Sequence, residues 1–284
     1  MEKILVLTDF SDIAKKGLET AVRIARQLGG AEILLLNTEL STSGGRFSAS
    51  GDIASQLPAE EDRYMVELIR RNQQRLQEQG LAYATEGVEI RTFMEIGEMQ
   101  EVVDDFLKNH EVDLIVMGTS GENTLEEYFL GNHTEQVIRV ADVPVLSVKV
   151  NDHIADIRNV VWATDMNKKA SASARLLKSV ASKLRAKLHL LHVTKSSKVQ
   201  KSASELEAYA REQGLEQNYS VAVIDDNDVE DGIKRYAAKV GADMIAVITH
   251  GRDGLSALLS HSVAEDVIRE ASVPVLTINM HEVK

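Results

Sequence analysis

The chain has no cysteine among its 284 residues. Disulfides, thiolate nucleophiles and cysteine-based zinc sites are therefore excluded, and a cytoplasmic setting is the expectation. It has no apolar run near the ~18 residues of a membrane span, so no membrane partner is expected. The opening Met1-Glu-Lys-Ile-Leu-Val-Leu7 runs straight into a strand, without the layout of a signal peptide. Basic residues are scarce in one half. Residues 1–150 hold 14 Lys and Arg against 26 Asp and Glu, a balance of −12, while residues 151–284 hold 18 of each. An acidic half beside a neutral one argues against general nucleic-acid binding, which needs a basic surface. Catalytic signatures are missing as well: there is no G-x-S-x-G elbow, no H-E-x-x-H and no G-x-x-x-x-G-K-[ST] loop. Enzyme activity is not the favoured reading.

What the chain does have centres on Leu114-Ile-Val-Met-Gly-Thr-Ser-Gly121 and its continuation Gly131-Asn-His-Thr-Glu135. The apolar run Leu114 to Met117 reads as a buried parallel strand. Gly118 and Gly121 permit a tight turn and close approach to bare amides. The spacing is Gly118-x-x-Gly121, nine residues, then Gly131. Asn132 and Glu135 have capping-box spacing, so a helix is expected to start there with its free amides toward the loop, an anion-binding arrangement.

The chain also repeats itself. Ile4-Leu-Val-Leu-Thr-Asp9 matches Val160-Val-Trp-Ala-Thr-Asp165, and Glu32-Ile-Leu-Leu-Leu-Asn37 matches Lys187-Leu-His-Leu-Leu-His192. Val112-Asp-Leu-Ile-Val-Met117 matches Ala242-Asp-Met-Ile-Ala-Val247, and Val143-Pro-Val-Leu146 matches Val273-Pro-Val-Leu276. The first pair is offset by 156 residues and the last two by 130, so the first copy holds about 26 extra residues between its second and fourth strands. Each copy reads β-α-β-α-β-α-β-α-β, which implies a parallel sheet covered by helices on both faces. In the first copy, strands are expected at 3–8, 32–38, 87–93, 112–117 and 143–149. Helices are expected near 12–29, 60–79, 98–109 and 132–141, with loops at 41–59 and, in the second copy, 194–203. Domains of 1–150 and 151–284 follow, with 150–157 as linker. In such a sheet the ligand crevice lies beyond the strand carboxyl ends, where strand order reverses.

Taken together, Thr8-Asp-Phe-Ser11, Asp113-Leu-Ile-Val-Met-Gly118, the three-glycine spacing and Val143-Pro-Val-Leu146 resemble the universal stress protein family in its tandem form. The resemblance covers nearly the whole chain. It implies an α/β fold of two Rossmann-like, adenine nucleotide alpha hydrolase-like domains. Each would be a five-stranded parallel sheet, and the final strands would pair internally as a pseudo-dimer. The whole chain could pair again as a homodimer, and an unknown protein partner is implied. Some members bind ATP; others lack the glycines and do not. By resemblance, Thr8 and Asp9 lie beside adenine and ribose, Thr38 and Met117 line the base pocket, and Gly118 approaches the ribose. Ser120, Gly121, Gly131, Asn132 and His133 would surround the phosphates. The chain departs from the family pattern at three of these: Asn132 stands where Ser or Thr is usual, His133 where a small apolar residue is usual, and Ser120 where a basic residue is common.

Each of these signals has a structural alternative. The glycines suit a tight turn and a helix start without any ligand. Glu122, Glu126 and Glu127 lie in the loop, and no Lys or Arg occurs between 118 and 131. A triphosphate would gain ~1–2 kcal/mol from the helix dipole there. Like charge opposes it unless Mg²⁺ intervenes, so a mono- or diphosphate fits more easily. In the second copy Ile248 and His261 replace the first and third glycines, His250 and Arg252 add charge, Gly251 remains and Gly254 is out of register. That copy is expected to fold but to hold no ATP. Asp9 suits a ligand contact or a turn equally well; for Asp165 the turn is the better reading. The odd spacing of His189 and His192 puts them on opposite strand faces and disfavours shared metal ligation. Trp162 reads as core, and the charged helix at 60–79 as a solvated face. The functional expectation is a stress-response protein that binds ATP, ADP or AMP, with or without Mg²⁺, in residues 1–150. A ligand-free scaffold and a slow ATP hydrolase, with Asp9 or His133 as its base, are the alternatives.

Overall fold

The computed structural model describes residues 1–40, 59–84, 87–119, 132–153, 155–195, 201–249 and 263–280. The first half runs β1 (Lys3–Leu7), α1 (Asp12–Gln27), β2 (Ala31–Glu39), α2 (Ala59–Tyr83), β3 (Val88–Ile96), α3 (Met99–Asn109), β4 (Leu114–Gly118), α4 (Asn132–Val140) and β5 (Val145–Val148). The second runs β6 (Asn159–Ala163), a 3₁₀ turn (Lys168–Ala170), α5 (Ser171–Lys183), β7 (Lys187–Lys195), α6 (Ala203–Glu212), β8 (Tyr219–Asp226), α7 (Val229–Val240), β9 (Met244–Thr249), α8 (Val263–Glu270) and β10 (Val275–Asn279). The expected elements are present, with β3 reaching three residues further and α2 four residues further than the sequence pattern implies. The expected loop at 41–59 falls, but for its last residue, outside the described residues.

Helix α1 shows how local sequence sets an element. Ser11 caps it by accepting the Ala14 amide, and Ala14, Leu18, Ala21, Val22 and Ala25 form its buried stripe. At its far end Gly29 takes φ +83°, which lets the Gly29 and Gly30 amides reach the carbonyls of Arg26 and Ala25, each at 3.0 Å. This is a Schellman closure, and it needs a residue without a Cβ.

All of the described strands join one sheet in the order β3-β2-β1-β4-β5-β10-β9-β6-β7-β8. Pairing is parallel within each half, and β5 meets β10 antiparallel. Leu146 faces Leu276 at that joint, and these are mates in the repeat, so a pseudo-two-fold axis passes between them. Two apolar cores cover the two sheet faces, and both run across the joint. One holds Ile4, Val6, Leu18, Leu146, Trp162 and Leu276; the other holds Leu5, Ile115, Val145, Val161, Leu191 and Val275.

The halves also exchange helix caps. Lys149 Nζ, at the end of β5, donates to the carbonyls of Arg269 (3.0 Å) and Ala271 at the end of α8. Its repeat mate Asn279, at the end of β10, donates through Nδ2 to Ala141 O (3.0 Å) and Ile138 O at the end of α4. The expected linker is likewise tied down. Gln27 of α1 exchanges two hydrogen bonds with Ile157, each 2.8 Å, and Arg23 pairs with Asp156 at 2.7 Å.

Asp113 and Asp243, repeat mates just before β4 and β9, act as staples at the amino ends. Asp113 accepts the amides of Glu2 (2.6 Å) and Lys3 (3.1 Å), and Asp243 those of Arg158 (2.8 Å) and Asn159 (2.9 Å). Burial alone would raise the Asp113 carboxyl, but the two amides prevail and hold it below the usual carboxylate range. The stabilisation is therefore present above the unfolded pKa and is lost as pH falls through the lower folded value. Asp113→Asn should cost about 1 kcal/mol at neutral pH, discounted for the group's exposure. That difference from wild type should close at acid pH, measured by urea unfolding across the pH range. A constant difference would assign the effect to packing instead.

Candidate functional site

Leu7 of β1 pairs with Leu36 on one side and Met117 on the other. Thr8, Asn37 and Gly118 therefore form the next row, and Asp9, Thr38 and Thr119 the row beyond. This is where strand order reverses between β1 and β4, so the predicted residues of three strands do converge at the switch point.

Thr8 and Asp9 build the turn that leaves β1. Thr8 Oγ1 accepts the Phe10 amide (3.1 Å), and Asp9 Oδ1 accepts the Ser11 amide (2.9 Å). Between them Phe10 is held at φ +67°, a conformation that disfavours a side chain. The second half repeats the device: Thr164 accepts from Met166 (3.0 Å, φ +64°) and Asp165 from Asn167 (3.0 Å). Both aspartates thus have the turn role. Asp9 is exposed, and its Oδ2 has no hydrogen-bond partner among the described residues.

Several residues that the sequence reading missed close one side of the crevice. Asn37 is buried and donates to Thr8 O at 2.8 Å. Asn72 of α2, also buried, donates to Glu39 (2.6 Å) and reaches Asn37 Oδ1 (3.5 Å). Thr8 Oγ1 lies 3.4 Å from Gln79, and the Arg75 guanidinium sits 4.0 Å over the Phe10 ring. Helix α2 is therefore more than a solvated face: Asn72, Arg75, Leu76 and Gln79 share one stripe at helical spacing. That spacing was the available signal. Thr38 lies on the opposite sheet face, its hydroxyl 3.7 Å from Met99 Sδ, beside half-buried Glu95, whose pKa burial raises.

Gly118 has a role beyond backbone access. A Cβ there would lie 2.4 Å from the Ile13 carbonyl oxygen, and one on Gly17 would lie 3.1 Å from the Gly118 nitrogen. The pair lets α1 rest directly on the end of β4. Met117 is buried in the core, and the buried Thr119 hydroxyl has no partner among the described residues. Ser120, Gly121 and Gly131 lie outside the described residues, as do the loop glutamates. Helix α4 starts at Asn132, so this residue stands within the helix rather than at its cap, and Glu135 pairs with Arg139. His133 is exposed on the first turn.

The second crevice differs at matching positions. Ile248 replaces Gly118 and Ser173 replaces Gly17. The helix there loses its first α-turn: a 3₁₀ turn covers Lys168–Ala170 and α5 begins at Ser171. A side chain at 248 needs the space that the first turn of α1 occupies in the other half. Trp162 and Tyr209 stand where Val6 and Gln79 stand, with ring centroids 6.2 Å apart, and both are buried. His192 replaces Asn37 and keeps its bond: Nδ1 donates to Thr164 O at 2.8 Å, which leaves Nε2 as the acceptor when the ring is neutral. His189 instead bonds Asn159 (3.2 Å) and Ser220 (3.0 Å), so the two histidines share no ligand position. No group of three metal-ligating side chains occurs among the described residues, and none of their helices is long and apolar enough to cross a membrane.

Comparison with known proteins agrees with this doubled architecture. The universal stress protein family model matches residues 1–149 and again 156–279. A universal stress protein of Methanocaldococcus jannaschii is 32% identical over 149 residues, covering 52% of this chain and 82% of its own. One from Synechocystis is 25% identical over 295 residues, covering 98% and 99%. The crystal structure of a universal stress protein from Archaeoglobus fulgidus superposes with a TM-score of 0.76 over 98% of both chains at 22% identity. With the family pattern present twice and the sheet order repeated in each half, the chain belongs to the universal stress protein family, in its tandem form.

Proposed function

We propose that the first half, residues 1–150, binds an adenine nucleotide (ATP, ADP or AMP, with or without Mg²⁺) and that the chain acts as a sensor or regulator in a stress response. The observation that carries this reading is the open set of groups at the switch point. Among the described residues Asp9 has one carboxylate oxygen without a hydrogen-bond partner, suited to ribose hydroxyls, at the strand ends that also hold Thr38 and Gly118. Helix α4 begins at the same end of the sheet, and a helix amino terminus suits phosphate. Residues 151–284 serve in this reading as a ligand-free lobe. The specific support is the bulk of Ile248, Trp162 and Tyr209 at positions that are small or polar in the first half.

Purified protein should show nucleotide-dependent thermal stabilisation. Asp9→Asn keeps the turn, because an amide oxygen can still accept the Ser11 amide, but it removes the charge. It should weaken binding about tenfold, ~1.4 kcal/mol, while leaving the melting temperature of the free protein nearly unchanged. Isothermal titration with each nucleotide reads this out. Absence of any shift with ATP, ADP or AMP, with and without Mg²⁺, would leave the scaffold reading in its place.

A further inference from the structure

The ten-stranded sheet ends on two edges, β3 and β8, and they are built differently. Edge strands carry unpaired backbone groups, and proteins protect them with charges, prolines or bulges. Strand β3 follows that practice with Glu89, Arg91 and Glu95, and Arg91 pairs with Glu32 of the neighbouring strand at 3.0 Å. Strand β8 has charge only at its carboxyl end, at Asp225 and Asp226, the second paired with Arg235. The run Tyr219-Ser-Val-Ala-Val-Ile224 before them carries no charge and no proline, every residue in it is partly exposed, and among the described residues β8 pairs with β7 alone.

The direction of its backbone groups follows from one hydrogen bond. The Leu188 amide donates to Asn218 O at 3.1 Å, and Leu188 is in register with Tyr219. Residues 218, 220, 222 and 224 therefore face β7, while the amides and carbonyls of Tyr219, Val221 and Val223 face outward. We infer that β8 is a docking edge for a second copy of this chain, pairing antiparallel with the β8 of that copy about a two-fold axis at Val221. Centred there, Val221 meets its own mate and Tyr219 meets Val223, so the outward groups form about six backbone hydrogen bonds.

Two further observations favour a second copy over another partner. The chain already joins two such edges antiparallel about a pseudo-two-fold axis, at β5 and β10. Pairing at β8 would continue that sheet from one chain into the next. The charge distribution also permits it: the whole deficit of −12 lies in residues 1–150, while residues 151–284, which carry β8, are neutral. Copies approaching through the second half bring together halves without net charge, with the acidic Glu216, Asp225 and Asp226 lying outside the paired stretch 219–223, whereas approach through β3 would bring the acidic halves together.

Sedimentation velocity on the full chain without nucleotide tests this, with Val221→Pro as the variant. Proline at 221 removes an outward amide but no bond to β7. The wild type should form a dimer that grows with concentration, and the variant should self-associate roughly tenfold more weakly or not at all. Hydrogen exchange on the wild type gives a reading that does not depend on the variant folding: the Tyr219, Val221 and Val223 amides should slow as concentration rises. A chain that stays monomeric, a dimer that survives Val221→Pro, or a dimer in which those amides exchange freely would each overturn the inference. Because no nucleotide is present, none of these outcomes bears on the crevice.

Discussion

Gly118→Ala is expected to destabilise the protein by about 3 kcal/mol with no nucleotide present. The added Cβ would sit 2.4 Å from the Ile13 carbonyl oxygen, and that oxygen belongs to backbone that cannot swing aside. Relief requires α1 to lift from β4, which opens the core contacts of Ala14, Leu18 and Ala21. The second half shows this relief already made, with Ile248 in place of the glycine and the first helical turn converted to a 3₁₀ turn. Gly17→Ala is the control. Its Cβ would approach the Gly118 nitrogen at 3.1 Å, a milder contact. Alanine in a helix recovers up to ~1 kcal/mol of propensity, so the net change should stay within about 1 kcal/mol. Urea unfolding of both variants decides the matter, and equal effects would mean that the close approach is not the limiting contact. Loss of nucleotide binding in a Gly118 variant is accordingly no test of ligand contact.

Asn279→Leu should cost about 3 kcal/mol and loosen the two halves from each other. Asn279 is buried at the end of β10 and serves three partners: it donates to Ile138 O and Ala141 O, and it accepts from Thr249 Oγ1 at 2.8 Å. Leucine matches its length but leaves all three groups unpaired in a place that water does not reach. Two of them belong to the first half, so the loss falls on the joint. Lys149→Met removes the reciprocal cap on α8. The double variant should unfold in two separable calorimetric transitions where the wild type shows one, because the crossing caps couple the halves. A single sharp transition in the double variant would show that the β5–β10 ladder and the shared cores suffice for coupling.

The fold was legible because burial leaves a local imprint. Leu114 to Met117 and Leu34 to Leu36 are apolar runs because the parallel sheet is covered on both faces. The matched segments placed the repeat, and Trp162 read as core is fully buried. The crevice was legible in part. Thr8, Asp9, Thr38 and Gly118 do converge, since the strand order brings β1, β2 and β4 together. Asn37 and His192 are matched in the repeat but differ in chemistry, and only the structure shows that both donate to the carbonyl of the threonine that follows their half's first strand. Lys149 and Asn279 share no chemistry recognisable in sequence, yet both cap the opposite half's last helix.

From its residues alone this chain declares a doubled α/β order, parallel strands and the strand ends where a ligand belongs. Those properties are written in alternation, spacing and repetition along a few neighbouring positions. Which purpose each residue serves was decided only in three dimensions. Gly118 yields space to a carbonyl 105 positions earlier, and Asn279 seals a helix 138 positions away. Such contacts arise where separately formed elements meet, and no local pattern records the meeting.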